Sequence, residues 1–170
     1  MTTRRDLLKS TLGASLLFSP GLAKVWAQSD GTLKLLRLPK IALVVGNSKY
    51  KISPLTNPAN DAKAIAQALS TSGFAVTAKL DASRAELASA VDAYIKELSA
   101  KKCVGLFYYA GHGIQLAWKN YMLPVDADIG DIDDVQKQSV EVNSVLEGLT
   151  KAGNALNVII LDACRDNPRS

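Results

Sequence analysis

Residues 104–113 read Val-Gly-Leu-Phe-Tyr-Tyr-Ala-Gly-His-Gly, and this stretch decides how the chain is expected to fold. A continuous apolar run of strand length that stops at a glycine is typical of a parallel strand buried on both faces. The segment Val104–Tyr109 is therefore predicted to be a strand. His112, the single histidine of the chain, follows that strand between two glycines.

Other apolar runs of similar length lie on both sides of this stretch. They predict strands at Ile41–Val45, at Phe74–Ala78 and, at the end of the chain, at Val158–Leu161. The last of these is also expected to be buried. A shorter strand is predicted around Tyr121–Val125.

Three segments between these strands are predicted to be helices. The first covers residues 62–69 and ends near Gly73, the second begins with a capping box formed by Ser83 and Glu86, and the third covers residues 144–151. Strands that alternate with helices predict the α/β class, here a three-layer sandwich with a mostly parallel sheet.

The composition supports a globular chain and argues against several other classes. Hydrophobic residues make up 48% of the 170 residues and charged residues 21%, which excludes wholesale disorder. The net charge of +4 is uneven, because residues 1–27 carry +3 and the remainder only +1. Without a basic stripe interleaved with aromatic residues, no nucleic-acid partner is predicted.

Residues 1–27 resemble a bacterial export signal, with a charged start, an apolar run at residues 12–18 and a small-residue end at Ala27. Arg4 and Arg5, followed by a Leu-Lys pair, resemble the twin-arginine motif of proteins that fold before export. A periplasmic or secreted product is therefore expected, with an ordinary secretory signal as the alternative. No cysteine lies near the cleavage point, so no stable membrane anchor is predicted.

The mature chain is expected to begin with a lead-in segment, residues 28–39, which precedes one α/β domain at residues 40–170. In an open parallel sheet, reactive groups gather past the carboxyl ends of the strands. His112 follows one strand in this way and Cys164 follows another. A thiol with an imidazole in reach is the minimum set for a cysteine nucleophile and its acid–base partner.

The second cysteine, Cys103, opens the strand that His112 follows and so lies at the opposite edge of the sheet. About 20 Å of strand separates the two edges, which is too far for a disulfide to Cys164. Cys103 is therefore predicted to be a core residue and Cys164 a free thiol. The alternative interpretation of the candidate pair is that His112 is a structural histidine and Cys164 a small buried residue.

Cys164 lies 52 residues after His112, inside the sequence Asp-Ala-Cys-Arg-Asp. Together with three other segments in the same order, this pattern resembles the caspase-like cysteine peptidases, especially bacterial relatives of metacaspases. The four segments are residues 40–47, 55–62, 108–113 and 162–166.

The resemblance implies the caspase–haemoglobinase fold and peptide-bond cleavage by a Cys/His dyad. Cys164 would attack the scissile carbonyl and His112 would protonate the departing amine. The backbone N–H groups of Gly113 and Cys164 would stabilise the oxyanion. The chemistry needs no metal or cofactor, and its partner is a peptide or protein substrate.

The resemblance also bears on specificity. Asp61 and Asp162 match acidic positions of the metacaspase primary pocket, which accepts Arg or Lys. Buried acids can bind a guanidinium by bidentate, charge-assisted hydrogen bonds, so cleavage after Arg or Lys is expected. The alternative for Asp61 is a helix N-terminal charge favoured by the helix dipole.

A cluster of acidic residues in residues 126–134 lacks the order of an EF-hand. It is interpreted as a solvated acidic loop. The alternative is a calcium site, because some metacaspases bind calcium near this region. The acids are Asp126, Asp128, Asp131, Asp133 and Asp134.

In the family, a smaller C-terminal segment adds further strands to the sheet. The sequence ends six residues after Cys164, so Val158–Leu161 is expected to form an exposed edge unless that segment, or a second chain, covers it. Two other functions remain open: a non-catalytic caspase-like binding module, and another cysteine hydrolase on a related α/β fold.

Overall fold

The computed structural model describes residue 31 and residues 33–163. The chain divides into two compact units, residues 1–36 and residues 37–170. In the first unit, residues 31 and 33–36 are helical. The predicted export signal and Cys164 lie outside the described residues. Within the described part of the chain, no helix is both long enough and apolar enough to cross a membrane.

The second unit is built on a sheet of four parallel strands: β1 (Lys40–Gly46), β2 (Phe74–Leu80), β3 (Val104–Ala110) and β7 (Leu156–Asp162). Their order in the sheet is β2-β1-β3-β7. All four strands were expected from the apolar runs. Strands β2 and β3 extend past the predicted C-terminal end by two residues and one residue, whereas β1 and β7 extend by one or two residues at each end.

Helices cover both faces of this sheet. Side chains of a strand point alternately to opposite faces, so the apolar strands place apolar side chains on both faces, and each face has to be covered. Leu106 and Tyr108 of β3 pack on the side of helix α1 (Pro58–Thr71). Phe107 and Tyr109 pack on the side of helix α2 (Arg84–Ala100) and helix α4 (Val142–Ala152). The three-layer α/β sandwich with a mostly parallel sheet is thus confirmed.

Local sequence signals explain where two of the helices begin. In α1, Pro58 occupies the first turn, where a missing N–H costs nothing. Gly46 ends β1 directly beneath that turn, and a Cβ there would lie 2.5 Å from the carbonyl oxygen of Pro58. The predicted capping box of α2 is confirmed, with Ser83 and Glu86 each satisfying a backbone N–H of the other.

A second, antiparallel sheet follows β3 and differs from the expectation. Its order is β4-β5-β6, formed by Gly113–Leu116, Lys119–Met122 and Val140–Glu141. The strand expected at Tyr121–Val125 therefore begins two residues earlier and ends at Met122. Strands β4 and β6 were not predicted.

The acidic stretch is partly helical and is not entirely a loop. Helix α3 (Ile132–Gln138) begins at a capping box in which the carboxylates of Asp131 and Asp134 accept backbone N–H groups. Asp134 also accepts the N–H of Gly130. These backbone hydrogen bonds hold the pKa of Asp134 below its usual value.

The expectation that the last strand is buried was wrong. Among the described residues, β7 has a strand neighbour on one side only, so it forms an edge of the sheet. Because α1 does not extend over it, Val158 and Ile160 are 37% and 42% exposed on the α1 face. The exposed edge that the sequence suggested for Val158–Leu161 is therefore present in the described chain.

An exposed apolar edge strand is a template for pairing with another chain. We expect Ile160→Lys to reduce concentration-dependent association, measured by light scattering. The unfolding free energy should change by no more than about 0.5 kcal/mol, because the position is exposed. Leu80→Lys, at the 39% exposed end of the opposite edge strand, is the matched control. Equal effects of both substitutions would show that β7 is not the associating edge.

Candidate active site

His112 follows β3 at the carboxyl edge of the sheet, and the surrounding chain fixes both its ring and its backbone. Its Nε2 lies 2.7 Å from the carbonyl oxygen of Ser53. The ring packs against Tyr50, with centroids 4.4 Å apart. The His112 backbone N–H donates to the Tyr50 hydroxyl over 2.8 Å, and its carbonyl accepts the N–H of Leu123 over 3.0 Å.

A buried polar cluster lies directly behind His112. The carbonyl oxygen of Leu123 receives the side chains of Asn47, Tyr50 and Tyr109 at distances of 2.8 to 3.1 Å. The Tyr109 hydroxyl also lies 2.7 Å from the His112 carbonyl, so its single proton serves one of the two carbonyls at a time. Burial raises the pKa of Tyr109 well above its usual value and keeps it a neutral donor.

Asn47 connects this cluster to the neighbouring loop. Its backbone N–H donates to the carbonyl of Ala110, and its Oδ1 accepts the N–H of Ala82 over 2.9 Å. Gly111 lies against the same cluster, where a Cβ would collide with the hydroxyls of Tyr50 and Tyr109. The turn that leads to His112 thus requires glycine for reasons of space.

The loop after β1, which supplies Tyr50 and Ser53, is held by one carboxylate. Oδ1 of Asp81 accepts the backbone N–H groups of Ser48 and Lys49 at 2.8 and 3.0 Å, and Oδ2 lies 3.1 Å from Lys49 Nζ. Burial alone would raise the pKa of Asp81, but these hydrogen bonds and the Lys49 charge outweigh it and lower the pKa. Asp81 adopts a positive φ of 54°, a backbone conformation that aspartate tolerates better than most residues.

Asp61 and Asp162, the two predicted pocket acids, lie on the α1 side of the same sheet edge. Asp61 lies in the first turn of α1, the position expected if it is a helix N-terminal charge. Asp162 is the last residue of β7. Both side chains are exposed, which corrects the expectation that they are buried. Tyr108 lies close to Asp162, and its hydroxyl donates to Asp162 Oδ2 over 3.2 Å.

The backbone of Gly113 is oriented by its pairing in the hairpin. Gly113 lies opposite Met122, and the adjacent bond runs from the N–H of Leu123 to the carbonyl of His112. This pattern makes Gly113 and Met122 a non-hydrogen-bonded pair. The N–H of Gly113 therefore points away from β5 and is not consumed by the ladder.

The structure brings His112, Gly113 and Asp162 to one edge of the sheet, with Asp61 at the start of the helix beside it. Cys164 lies two residues past Asp162 and outside the described residues. Cys103 is buried with a free thiol before β3, as expected for a core residue. In the part of the chain that the structure describes, no group of three or more acidic, His or Cys side chains is positioned to hold a metal ion.

Sequence reasoning missed the residues that hold His112. Asn47 and Tyr50 follow the end of β1 as His112 follows the end of β3, so the rule that located His112 also applies to them. Ser53 contributes only its backbone carbonyl, which leaves no signal in the residue type. Asp81 acts through a loop whose conformation is a tertiary property.

The fold and this edge define a class: an open α/β sandwich with a fixed histidine at the carboxyl ends of its parallel strands. A family model described as "Caspase domain" matches residues 39–170. Mucosa-associated lymphoid tissue lymphoma translocation protein 1 of Homo sapiens and its homologue of Mus musculus are each 34% identical to this chain over 128 residues. The alignment covers 74% of this chain and 15% of each relative.

The chain belongs to the caspase-domain family and carries a cysteine-peptidase-like domain. The resemblance drawn from four short segments of the sequence is thereby confirmed. The chain spans only about 15% of the length of the curated relatives it matches.

The carboxylate of Asp81 makes stability dependent on pH. Because its folded pKa lies below the unfolded value, its contribution is present above the unfolded pKa of about 4 and is lost as the pH falls through the folded pKa. We expect Asp81→Asn to lower the unfolding free energy at pH 7 by about 1–3 kcal/mol and to flatten the acid limb. Urea unfolding from pH 7 to pH 3 measures both effects.

Asp92→Asn, an exposed carboxylate on α2, is the control and should change neither quantity. If Asp81→Asn leaves the acid limb as steep as in the wild type, this carboxylate does not hold the loop.

Proposed function

We propose that this protein is a cysteine-type endopeptidase that uses His112 and Cys164 as a dyad and cleaves after Arg or Lys. The register of β3 and β7 is the observation that carries the proposal. Ala110 lies opposite Asp162, and the N–H of Gly111 donates to the Asp162 carbonyl over 3.3 Å. His112 and Cys164 each follow this pair by two residues, a reach of about 7 Å of extended chain.

The contact of His112 with Ser53 supports an acid–base role. A carbonyl oxygen only accepts hydrogen bonds, so Nε2 carries the proton in this contact. In the neutral ring Nδ1 then carries the free lone pair. Nδ1 is also the ring nitrogen that does not bond to Ser53. It would accept the thiol proton of Cys164 and return a proton to the departing amine.

The oxyanion of the tetrahedral intermediate requires donors that are already oriented. The N–H of Gly113 points away from β5, which makes it available for this purpose. The N–H of Cys164 is the second proposed donor. A backbone donor fixed by the β4–β5 hairpin would stabilise the developing charge without reorganisation.

Asp61 and Asp162 support a preference for a basic side chain. Two carboxylates near one edge attract a cation, and a guanidinium can bind each of them through paired N–H groups.

The exposed edge of β7 supports a further partner. We propose that a C-terminal segment or a second chain covers Val158 and Ile160 and completes the substrate groove. The same exposed face supports the alternative, in which the domain is inactive until this segment or chain is added.

Periplasmic or secreted localisation is proposed on residues 1–27 alone. No metal or cofactor is assigned a role.

The dyad is tested by intact-mass labelling of the 170-residue chain with thiol-reactive peptide probes that end in Arg or in Asp. We expect one Arg adduct, absent in Cys164→Ala and retained in Cys103→Ala, which removes only the buried thiol. His112→Ala should slow labelling by at least about 100-fold, the usual contribution of an acid–base group.

Labelling that persists in Cys164→Ala would refute the dyad. Failure of both probes would favour the binding module, whereas thiol-dependent turnover of a non-peptide substrate would identify another cysteine hydrolase. If both probes fail on the 170-residue chain but a version extended past Ser170 reacts, the groove requires the added segment.

The acidic pocket is tested separately with Asp61→Asn and Asp162→Asn. Each should slow labelling by the Arg probe by about 10-fold to 100-fold, the range expected for hydrogen bonds to a charged group. An otherwise identical probe ending in norleucine should react at an unchanged rate, and Asp92→Asn should change neither rate. A preference of the wild type for the Asp probe would contradict the pocket.

A further inference from the structure

Tyr108 lies beneath the carboxyl edge of the sheet, near enough to both acids of the proposed pocket for their charges to act on its hydroxyl. Its side chain is 4% exposed and packs in the apolar cluster between β3 and α1. Only its hydroxyl reaches the edge, where it donates to Asp162 Oδ2 over 3.2 Å. Asp61 lies in the first turn of the helix that covers the same face.

The register explains why this contact forms. Tyr108 pairs with Ile160 across β3 and β7, and Asp162 follows Ile160 by two residues. Residues two apart on a strand point to the same face. The phenol therefore meets its diagonal neighbour Asp162 on the α1 side, within the reach of a long aromatic side chain.

Asp162 needs such a contact because it is an exposed residue at the end of an edge strand. An exposed aspartate samples several rotamers, and ordering it when a ligand binds costs affinity. A hydrogen bond from a buried, rigid ring selects one orientation before binding. Burial, followed by the charge and hydrogen bond of Asp162 and the charge of Asp61, raises the pKa of Tyr108 to about 12, so the donor keeps its proton.

We propose that Tyr108 is a positioning residue for specificity: its hydroxyl fixes the Asp162 carboxylate so that Asp162 and Asp61 receive one guanidinium together. The inference rests on the proposed function, since it assigns a role to a residue behind the proposed pocket. Tyr108 acts through Asp162 and not on the reacting atoms. Its removal should therefore weaken binding of a basic side chain and leave the chemical step unchanged.

The test is the concentration dependence of labelling for Tyr108→Phe, with the Arg and norleucine probes, in the full 170-residue chain. For the Arg probe, the concentration that gives half the maximal labelling rate should rise about tenfold, equivalent to about 1.4 kcal/mol. The maximal rate, and both constants for norleucine, should stay within about twofold of the wild type.

Tyr94→Phe is the matched control, because it also removes one buried hydroxyl. Among the described residues, the Tyr94 hydroxyl has no hydrogen-bond partner, so its loss should change no labelling constant. Thermal unfolding of both variants shows whether they fold as the wild type does.

The outcomes separate the two proposals. If the wild type prefers the Arg probe and Tyr108→Phe retains that preference, the role of Tyr108 is refuted and the proposed function stands. If Tyr108→Phe slows both probes equally, the residue is structural and the inference is also refuted. If neither the 170-residue wild type nor a version extended past Ser170 reacts with either probe, or if the reactive form shows no preference for Arg, the proposed specificity fails and the role of Tyr108 fails with it.

Discussion

The carbonyl oxygen of Leu123 is the acceptor on which the carboxyl edge of the sheet depends. Asn47 from the end of β1, Tyr50 from the following loop and Tyr109 from β3 all approach it within 3.1 Å. A buried polar group without a partner is costly, so these donors and acceptors have to be satisfied together. Because Tyr50 and Tyr109 also bond the backbone of His112, satisfying the cluster fixes the backbone position of His112.

Two kinds of environment therefore meet at this edge. The α2 side is closely packed, and its Tyr109, together with Tyr50 of the loop after β1, holds the backbone of His112. The α1 side ends in the exposed carboxylates of Asp61 and Asp162, supported by Tyr108. The residues that hold His112 are therefore distinct from the residues of the proposed pocket, so the proposed pocket and the proposed dyad can be tested by separate substitutions.

The differences between expectation and structure have specific causes. Strand β4 was missed because its turn to β5, Ala117-Trp118, adopts positive φ values of 48° and 65° without the glycine or asparagine that usually marks such turns. Helix α3 was missed because the acidic pattern of residues 126–134 was interpreted as charge alone, although Asp131 and Asp134 form a capping box. The prediction that β7 is buried was wrong because an apolar run indicates a strand but does not indicate what covers it.

The sequence by itself determined the α/β class, all four strands of the parallel sheet, the capping box of α2 and the family, because these follow from periodicity, glycine positions and local motifs. It also located His112 through the rule that strands of a parallel sheet end at a common edge. The tertiary structure alone decided that Ser53 holds the imidazole, that Asp81 holds the loop of Ser53, and that Asp162 is exposed against Tyr108. These contacts join residues 33 to 59 positions apart through backbone atoms and register, which no local pattern encodes.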